Sequence, residues 1–239
     1  MGPWNHGGWG RQQGDSLGRI SFEEKTGAYY RSKIQAPWFA HWLKDKGQLP
    51  FREALMFIAG ANRWEAFDRW PPTTGVRRWR FYLENNGDLS LTAPKASVGF
   101  DSFVSDPAHP VPYRNRPIQL TYDGRGSDWY TWLVEDQRFV HNRPDVLSWQ
   151  TGPLTTDLTI AGAITARLYA STTGRDADWV VKLIDVYPDS VRQLSPRMGG
   201  YQLMVASDIL RGRYRNNWSR PGPLVPNQVT AFTVDLPQQ

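Results

Sequence analysis

Asp176-Ala177-Asp178-Trp179-Val180-Val181-Lys182-Leu183-Ile184-Asp185-Val186-Tyr187-Pro188 is the stretch whose reading sets the fold class. From Trp179 to Tyr187 it is dominated by β-branched and aromatic residues, and turn formers close it at both ends, which predicts a strand. Working outward, similar runs cover Thr159 to Ser171, Gln202 to Leu210 and Val229 to Leu236. Upstream, Arg77 to Leu83 is a further candidate, and Asn86-Gly87 makes a hairpin turn into Leu89 to Thr92. Strands at this spacing with no helices between them predict a mainly β fold, a β-sandwich such as a jelly roll. The Pro-, Gly- and Asp-rich stretch from Asp101 to Asp157 reads as long connections.

The first 60 residues have a different character. A Gly-rich loop runs to about residue 19. From Thr26 to Lys46 the apolar residues Tyr30, Ile34, Trp38 and Trp42 recur every four positions, with Phe39 and Leu43 widening the stripe, as in an amphipathic helix. Pro37 lacks a backbone donor and is expected to split that helix, and Gly47 to end it as the left-handed residue. Ala54-Leu55-Met56-Phe57-Ile58-Ala59 is an unbroken apolar run, the pattern of a strand covered on both faces in a parallel α/β sheet. Loop, helix and strand together read as the last pieces of an α/β domain.

Composition narrows the function. The 239 residues include 12 Trp, 10 Tyr and 10 Phe, a supply of large rings that suits β-rich cores and acyl or carbohydrate pockets alike. With no cysteine there is neither a disulfide nor a thiolate metal site. No apolar run reaches the roughly 18 residues of a membrane span, and the N-terminal residues lack the pattern of a secretory signal. The net charge of +5 is a mild excess. Its densest clusters, Arg77/Arg78/Arg80 and Arg211/Arg213/Arg215, read as solvated faces, the second lying along one side of a strand; nucleic acid is not an expected partner. No phosphate loop or dinucleotide fingerprint implies a cofactor. Asp176 with Asp178, and Asp123-Gly124-Arg125-Gly126 with Asp128, fall short of the ligand count that calcium needs.

Four histidines remain as candidates for chemistry. His6 sits on a Gly-flanked loop ahead of a helix, where an imidazole can stand at the rim of a pocket; position alone leaves open a catalytic base and an ordinary loop histidine. His41 falls inside the amphipathic helix, and His109 and His141 fall on loops, so each reads as structural. Gly14-Asp15-Ser16-Leu17-Gly18 matches the G-x-S-x-G pattern of a nucleophile elbow. It lacks the preceding apolar strand that gives the elbow its geometry, and it follows His6 where an elbow serine precedes its histidine.

Gly2-Pro3-Trp4-Asn5-His6-Gly7-Gly8-Trp9 resembles the G-P-W-x-H segment of the cocaine esterase and α-amino acid ester hydrolase family, to which the X-Pro dipeptidyl-peptidases are related. Phe57-Ile58-Ala59-Gly60-Ala61-Asn62-Arg63-Trp64 with Trp70-Pro71-Pro72, Ser105-Asp106-Pro107-Ala108-His109-Pro110-Val111-Pro112, Arg143-Pro144-Asp145-Val146-Leu147 and the 176–188 stretch resemble further segments of that family. The resemblance implies an α/β-hydrolase remnant at 1–72 followed by a jelly-roll, galactose-binding-like sandwich at 73–239. It also implies a Ser-His-Asp mechanism in which His6 is the base, no cofactor, and small acyl ester, amide or peptide substrates.

In that family the nucleophile and the acid lie ahead of the His6 segment, and closing strands follow the position where this sequence stops. The chain is accordingly expected to be cut at both ends, inactive alone, and prone to form homo-oligomers or to associate with the α/β-hydrolase part. Two other readings stay open: a stand-alone β-sandwich that binds carbohydrate or a partner, and a non-catalytic subunit completing a separate α/β half.

Overall fold

The computed structural model describes residues 1–49, 51–95, 99–118, 120, 122–123, 126–127, 129–193, 195 and 197–237. Strands predominate over short helices, and packing divides the chain into two compact units, Met1–Ile160 and Ala161–Gln239. No helix among the described residues is long and apolar enough to cross a membrane.

The first unit opens with a one-turn helix α1 (Gly8–Arg11) and a small antiparallel pair, β1 (Ser16–Leu17) and β2 (Ile20–Ser21). A continuous helical segment follows: α2 (Thr26–Tyr29), a π-helical turn (Tyr30–Gln35) and α3 (Ala36–Lys44). Pro37 therefore changes the pitch and does not split the helix. It occupies the first turn of α3, and the widened turn before it accommodates a residue with no N–H to donate. The helix ends at Asp45, two residues before the expected Gly47. Asp45 is left-handed (φ 51°), its N–H donates to the His41 carbonyl at 3.1 Å, and the Lys46 N–H donates to the Ala40 carbonyl at 3.0 Å. The bond from Asp45 to His41 is that of an αL cap, whose left-handed position aspartate tolerates better than most residues do.

The apolar run is β3 (Ala54–Ile58), paired antiparallel with β4 (Arg63–Phe67) through a four-residue loop in which Gly60 and Asn62 have positive φ. Only Met56 is buried; its β3 neighbours are half-buried, so cover on both faces is not complete among the described residues. On the other edge of β3 the Met1 backbone nitrogen donates to the Leu55 carbonyl at 2.7 Å, and the Phe57 N–H donates to the Met1 carbonyl at 3.0 Å. Those two bonds set Met1 beside Met56 in the pattern of a parallel bridge.

The Asn86-Gly87 hairpin forms as expected, joining β5 (Tyr82–Leu83) to β6 (Leu89–Ser90), with Gly87 at φ 83°. The Gln150 N–H donates to the Gly87 carbonyl at 2.9 Å and the Gln150 carbonyl accepts from Leu89 at 2.8 Å. Strand structure in this stretch begins at Tyr82, not Arg77; residues 77–80 are exposed, Trp79 included, and pair with no strand among the described residues. The 101–157 stretch is mostly irregular, as its turn residues suggested, with β7 (Tyr122–Asp123), β8 (Gly126–Ser127), α4 (Trp129–Leu133) and α5 (Arg138–His141).

The second unit holds the four long strands: β9 (Ile164–Ala170), β10 (Asp178–Val186), β11 (Gln202–Arg211) and β12 (Thr230–Leu236). They form two antiparallel ladders, β9 with β12 and β10 with β11, the latter carrying a bulge at Leu183/Ile184. In β12 alternation is strict: Phe232, Val234 and Leu236 are buried while Ala231, Thr233 and Asp235 face solvent. Leu210 and Ala206 of β11 join them, as does Leu224 from the loop before β12, and half-buried residues of β9 and β10 complete one core. Each large side chain removed from water there contributes about 1.5–3 kcal/mol.

The Arg211/Arg213/Arg215 cluster does not lie along a strand. β11 stops at Arg211, a 3₁₀ turn follows (Gly212–Tyr214), and the three guanidinium groups diverge. Arg211 grips Asp178 at 2.8 and 3.0 Å, Arg213 bonds Asp176, and Arg215 donates to the carbonyls of Gly212 (3.0 Å), Gly222 (2.8 Å) and Pro223 (3.4 Å).

Candidate active site

His6 stands exposed on the turn that leads from Trp4 into α1, behind a left-handed Gly7 (φ 77°). The turn is closed by bonds from the Gly8 N–H to the Asn5 carbonyl and from the Gly10 N–H to the Gly7 carbonyl, both 3.0 Å. No group among the described residues hydrogen-bonds a ring nitrogen of His6. Its imidazole meets the Trp9 ring edge-on at 6.5 Å between centroids.

What holds this loop is aromatic packing around Trp4. The Trp4 indole contacts Tyr30 (5.1 Å), Trp64 (5.9 Å) and Trp9 (6.2 Å), while Trp64 in turn stacks on Tyr29 (5.3 Å, 18°) and meets Phe57 (5.5 Å). Loop, helical segment and the β3–β4 hairpin are thereby joined through one side chain. The Trp4 Nε1–H donates to the Thr26 hydroxyl at 2.8 Å, and that hydroxyl donates to the Gly14 carbonyl. Gly14 has φ 73°, and a Cβ there would lie 2.5 Å from the Gly27 nitrogen and 2.8 Å from both Thr26 Oγ1 and Trp4 Nε1, so no other residue fits. On the far side, Arg31 donates to the carbonyls of Trp9 (2.5 Å) and Gln12 (2.9 Å), capping α1. An exposed imidazole on a loop this well braced can accept and return a proton without moving its backbone.

Ser16 lies in β1, paired with Ser21 across a tight hairpin, and is exposed. The G-x-S-x-G pattern encodes a strand-to-strand turn here, so the geometry of a nucleophile elbow is missing. In His41, Nδ1 donates to the Gly47 carbonyl at 3.0 Å, the satisfied structural role expected of it. His141 is exposed at the end of α5.

His109 has a partner that sequence reasoning missed. Its Nδ1 lies 2.8 Å from Asp106 Oδ2, and the same carboxylate accepts from the Ala108 N–H at 2.8 Å. The bond from His109 and the backbone bonds hold the Asp106 carboxyl below the usual carboxylate range. The signal available in the sequence was the spacing Asp106-Pro107-Ala108-His109, a turn that folds the imidazole back onto the carboxylate. Arg143 forks onto Asp145 at 2.8 and 2.7 Å and also donates to the His109 carbonyl at 2.9 Å, tying that turn to the segment after α5.

Asp176 and Asp178 are each taken up by an arginine, as described above. Gly124, Arg125 and Asp128 of the candidate calcium turn lie outside the described residues. Among the described residues no group of three or more His, Asp or Glu side chains could hold a metal ion.

Over residues 42–239 the chain matches the family described as the X-Pro dipeptidyl-peptidase C-terminal non-catalytic domain. The crystal structure of an aminopeptidase from the marine sediment archaeon Thaumarchaeota archaeon is similar at 46% identity and a TM-score of 0.92, covering 99% of this chain and 38% of that one. A selenomethionine-labelled α-amino acid ester hydrolase is similar at 43% identity and a TM-score of 0.91, covering 100% of this chain and 39% of the hydrolase. Cocaine esterase from Rhodococcus sp. (strain MB1 Bresler) is 28% identical over 190 residues, which are 76% of this chain and 30% of the esterase. The chain thus spans between 30% and 39% of the length of these relatives.

Proposed function

The chain belongs to the family of the X-Pro dipeptidyl-peptidase C-terminal non-catalytic domain, among esterase and peptidase relatives, and on that premise we propose that it is the C-terminal portion of a serine hydrolase whose base is His6. The match to the non-catalytic domain begins at residue 42, so His6 lies ahead of it. The observation that carries the reading is the parallel-bridge pattern between Met1 and Met56. A chain that leaves a parallel pair, turns through a rigid Gly-rich loop and returns by a helix is an α/β crossover, and loops at the ends of such strands are where α/β enzymes set their reactive groups.

In the proposed reaction a serine and an aspartate from the remainder of the polypeptide complete a triad. His6 takes the proton of the serine hydroxyl as its oxygen attacks the acyl carbon, then returns that proton to the departing alcohol or amine. Water repeats the cycle on the acyl-enzyme, and the aspartate holds the other imidazole nitrogen. The substrate is a small ester, amide or peptide. The partition proposed is an α/β-hydrolase remnant at 1–72 and a jelly-roll sandwich at 73–239. It follows the change from helical to strand patterning and is separate from the packing division at Ile160/Ala161. The two facing ladders with one shared core support the sandwich.

The test is the polypeptide translated from the codons that precede Met1 through Gln239, assayed on chromogenic esters and X-Pro amides. Hydrolysis that H6A lowers by about 10⁴-fold or more is the expected result; turnover indifferent to H6A overturns the assignment.

A second reading rests on a separate observation. Trp218 is 74% exposed and stacks on Tyr214 at 6.2 Å and 21°, a ring platform suited to a sugar face. If the 161–239 unit is a binding module, W218A abolishes retention on immobilised polysaccharide.

A further inference from the structure

We infer that Thr26 and Arg31 are positioning residues for His6, two latches by which the helical segment holds the catalytic loop from either side. The inference rests on the proposed role of His6 only for why the order of the loop matters. Thr26 is fully buried, and its one hydroxyl has both of its bonds assigned: an indole N–H can only donate to it, and a carbonyl can only accept from it. It therefore fixes Trp4, two residues before His6, relative to Gly14, eight residues after.

Arg31 grips the span between. Its guanidinium takes the carbonyls of Trp9 and Gln12, which no α-helical bond within the short α1 would satisfy. Arg31 belongs to the π-helical turn, and a widened turn is a common way for a helix to re-aim a side chain near a functional group. Neither residue contacts the imidazole. Thr26 and Arg31 act through the backbone on both sides of it, and Arg31 also holds the carbonyl of Trp9, whose ring stands against His6.

The closing experiment measures loop order by NMR in the 239-residue chain, comparing wild type with T26V, T26S and R31Q. T26V keeps the shape of threonine and removes the hydroxyl. It is expected to speed exchange of the Trp4 indole proton and of the Gly8 and Gly10 amides about fivefold or more, and to broaden the His6 ring signals. T26S, which restores the hydroxyl, is expected to return these rates to within about twofold of wild type. R31Q is expected to speed exchange at Gly10 and Gln12 to a similar degree. Unchanged signals from the β5–β6 hairpin and α5, which lie in the same unit as both latches, show that each variant is folded.

Exchange at residues 8–12 and His6 signals that match wild type in both T26V and R31Q overturn the inference. Should T26V fail to fold, the contrast of T26S with R31Q decides. Protection kept in T26S and lost in R31Q supports the latches, and protection kept in both overturns them. The readout is order and not turnover, so it fails independently of the H6A assay that tests the base.

Discussion

Phe232 of β12 lies against Trp179 of β10, ring centroids 5.2 Å apart and tilted by 46°, and this contact joins the two ladders of the second unit. Phe232 is 1% exposed, the most buried large side chain described. Truncation to F232A leaves a cavity that facing strands cannot close, and is expected to cost about 3–5 kcal/mol. Urea unfolding followed by tryptophan fluorescence measures it, and an unchanged midpoint would mean that the core is centred elsewhere.

Acid is expected to weaken the chain through its arginine-bound aspartates. The bonds from Arg143 hold the Asp145 carboxyl below its ordinary range of about 4. Partial burial pushes Asp176 up, but the bonds from Arg213 outweigh it and leave that carboxyl low as well. A group depressed in the folded state adds stability that is complete above the unfolded pKa and is lost as pH falls through the folded one. Stability between pH 5 and pH 2 should therefore fall less steeply in D145N than in wild type. Parallel curves would remove Asp145 from the account.

One face of α3 presents Trp42 at 59% and Leu43 at 73% exposure, beside the exposed Trp38 and Phe39. Apolar surface of this kind favours association, and another copy of the chain is the expected occupant in isolation. Sedimentation velocity of the isolated chain is expected to show self-association that W42K/L43K reduces. A wild-type monomer at high concentration would count against the surface.

Because Ser16 sits in a hairpin and not at an elbow, the chain by itself should hydrolyse esters and X-Pro amides no faster than buffer. S16A should leave that background unchanged. Turnover that disappears in S16A would restore the serine as a nucleophile.

The four long strands were legible to within a few residues because each carries its own signal: β-branched content, period-two burial and turn formers at both ends. The same alternation misled at Arg211-Gly212-Arg213-Tyr214-Arg215, where the chain has left the ladder and each arginine answers to a different partner. Pairing between Asp106 and His109 had one signal, their spacing across Pro107, and that spacing does not by itself say that the imidazole turns back onto the carboxylate. The helix was found, but its π-turn and its cap at Asp45 depend on how the backbone absorbs Pro37, which periodicity does not encode. Around His6 the loop was recognised by its motif. The roles of Thr26 and Arg31 were not, since both look like ordinary helix residues until their bonds are traced.

The ladder of β9 with β12 joins Ile164–Ala170 to Thr230–Leu236, segments some sixty residues apart. During synthesis β9 leaves the ribosome long before its partner exists, with its inward residues and one full row of amides unmatched. At translation speeds of about 5–20 residues per second, that interval lasts several seconds. The unit then has to close a large loop before any of its central contacts form, which makes its maturation slow. Shelter for β9 during that wait is therefore expected to raise the yield of folded chain more than any gain in the stability of the finished unit.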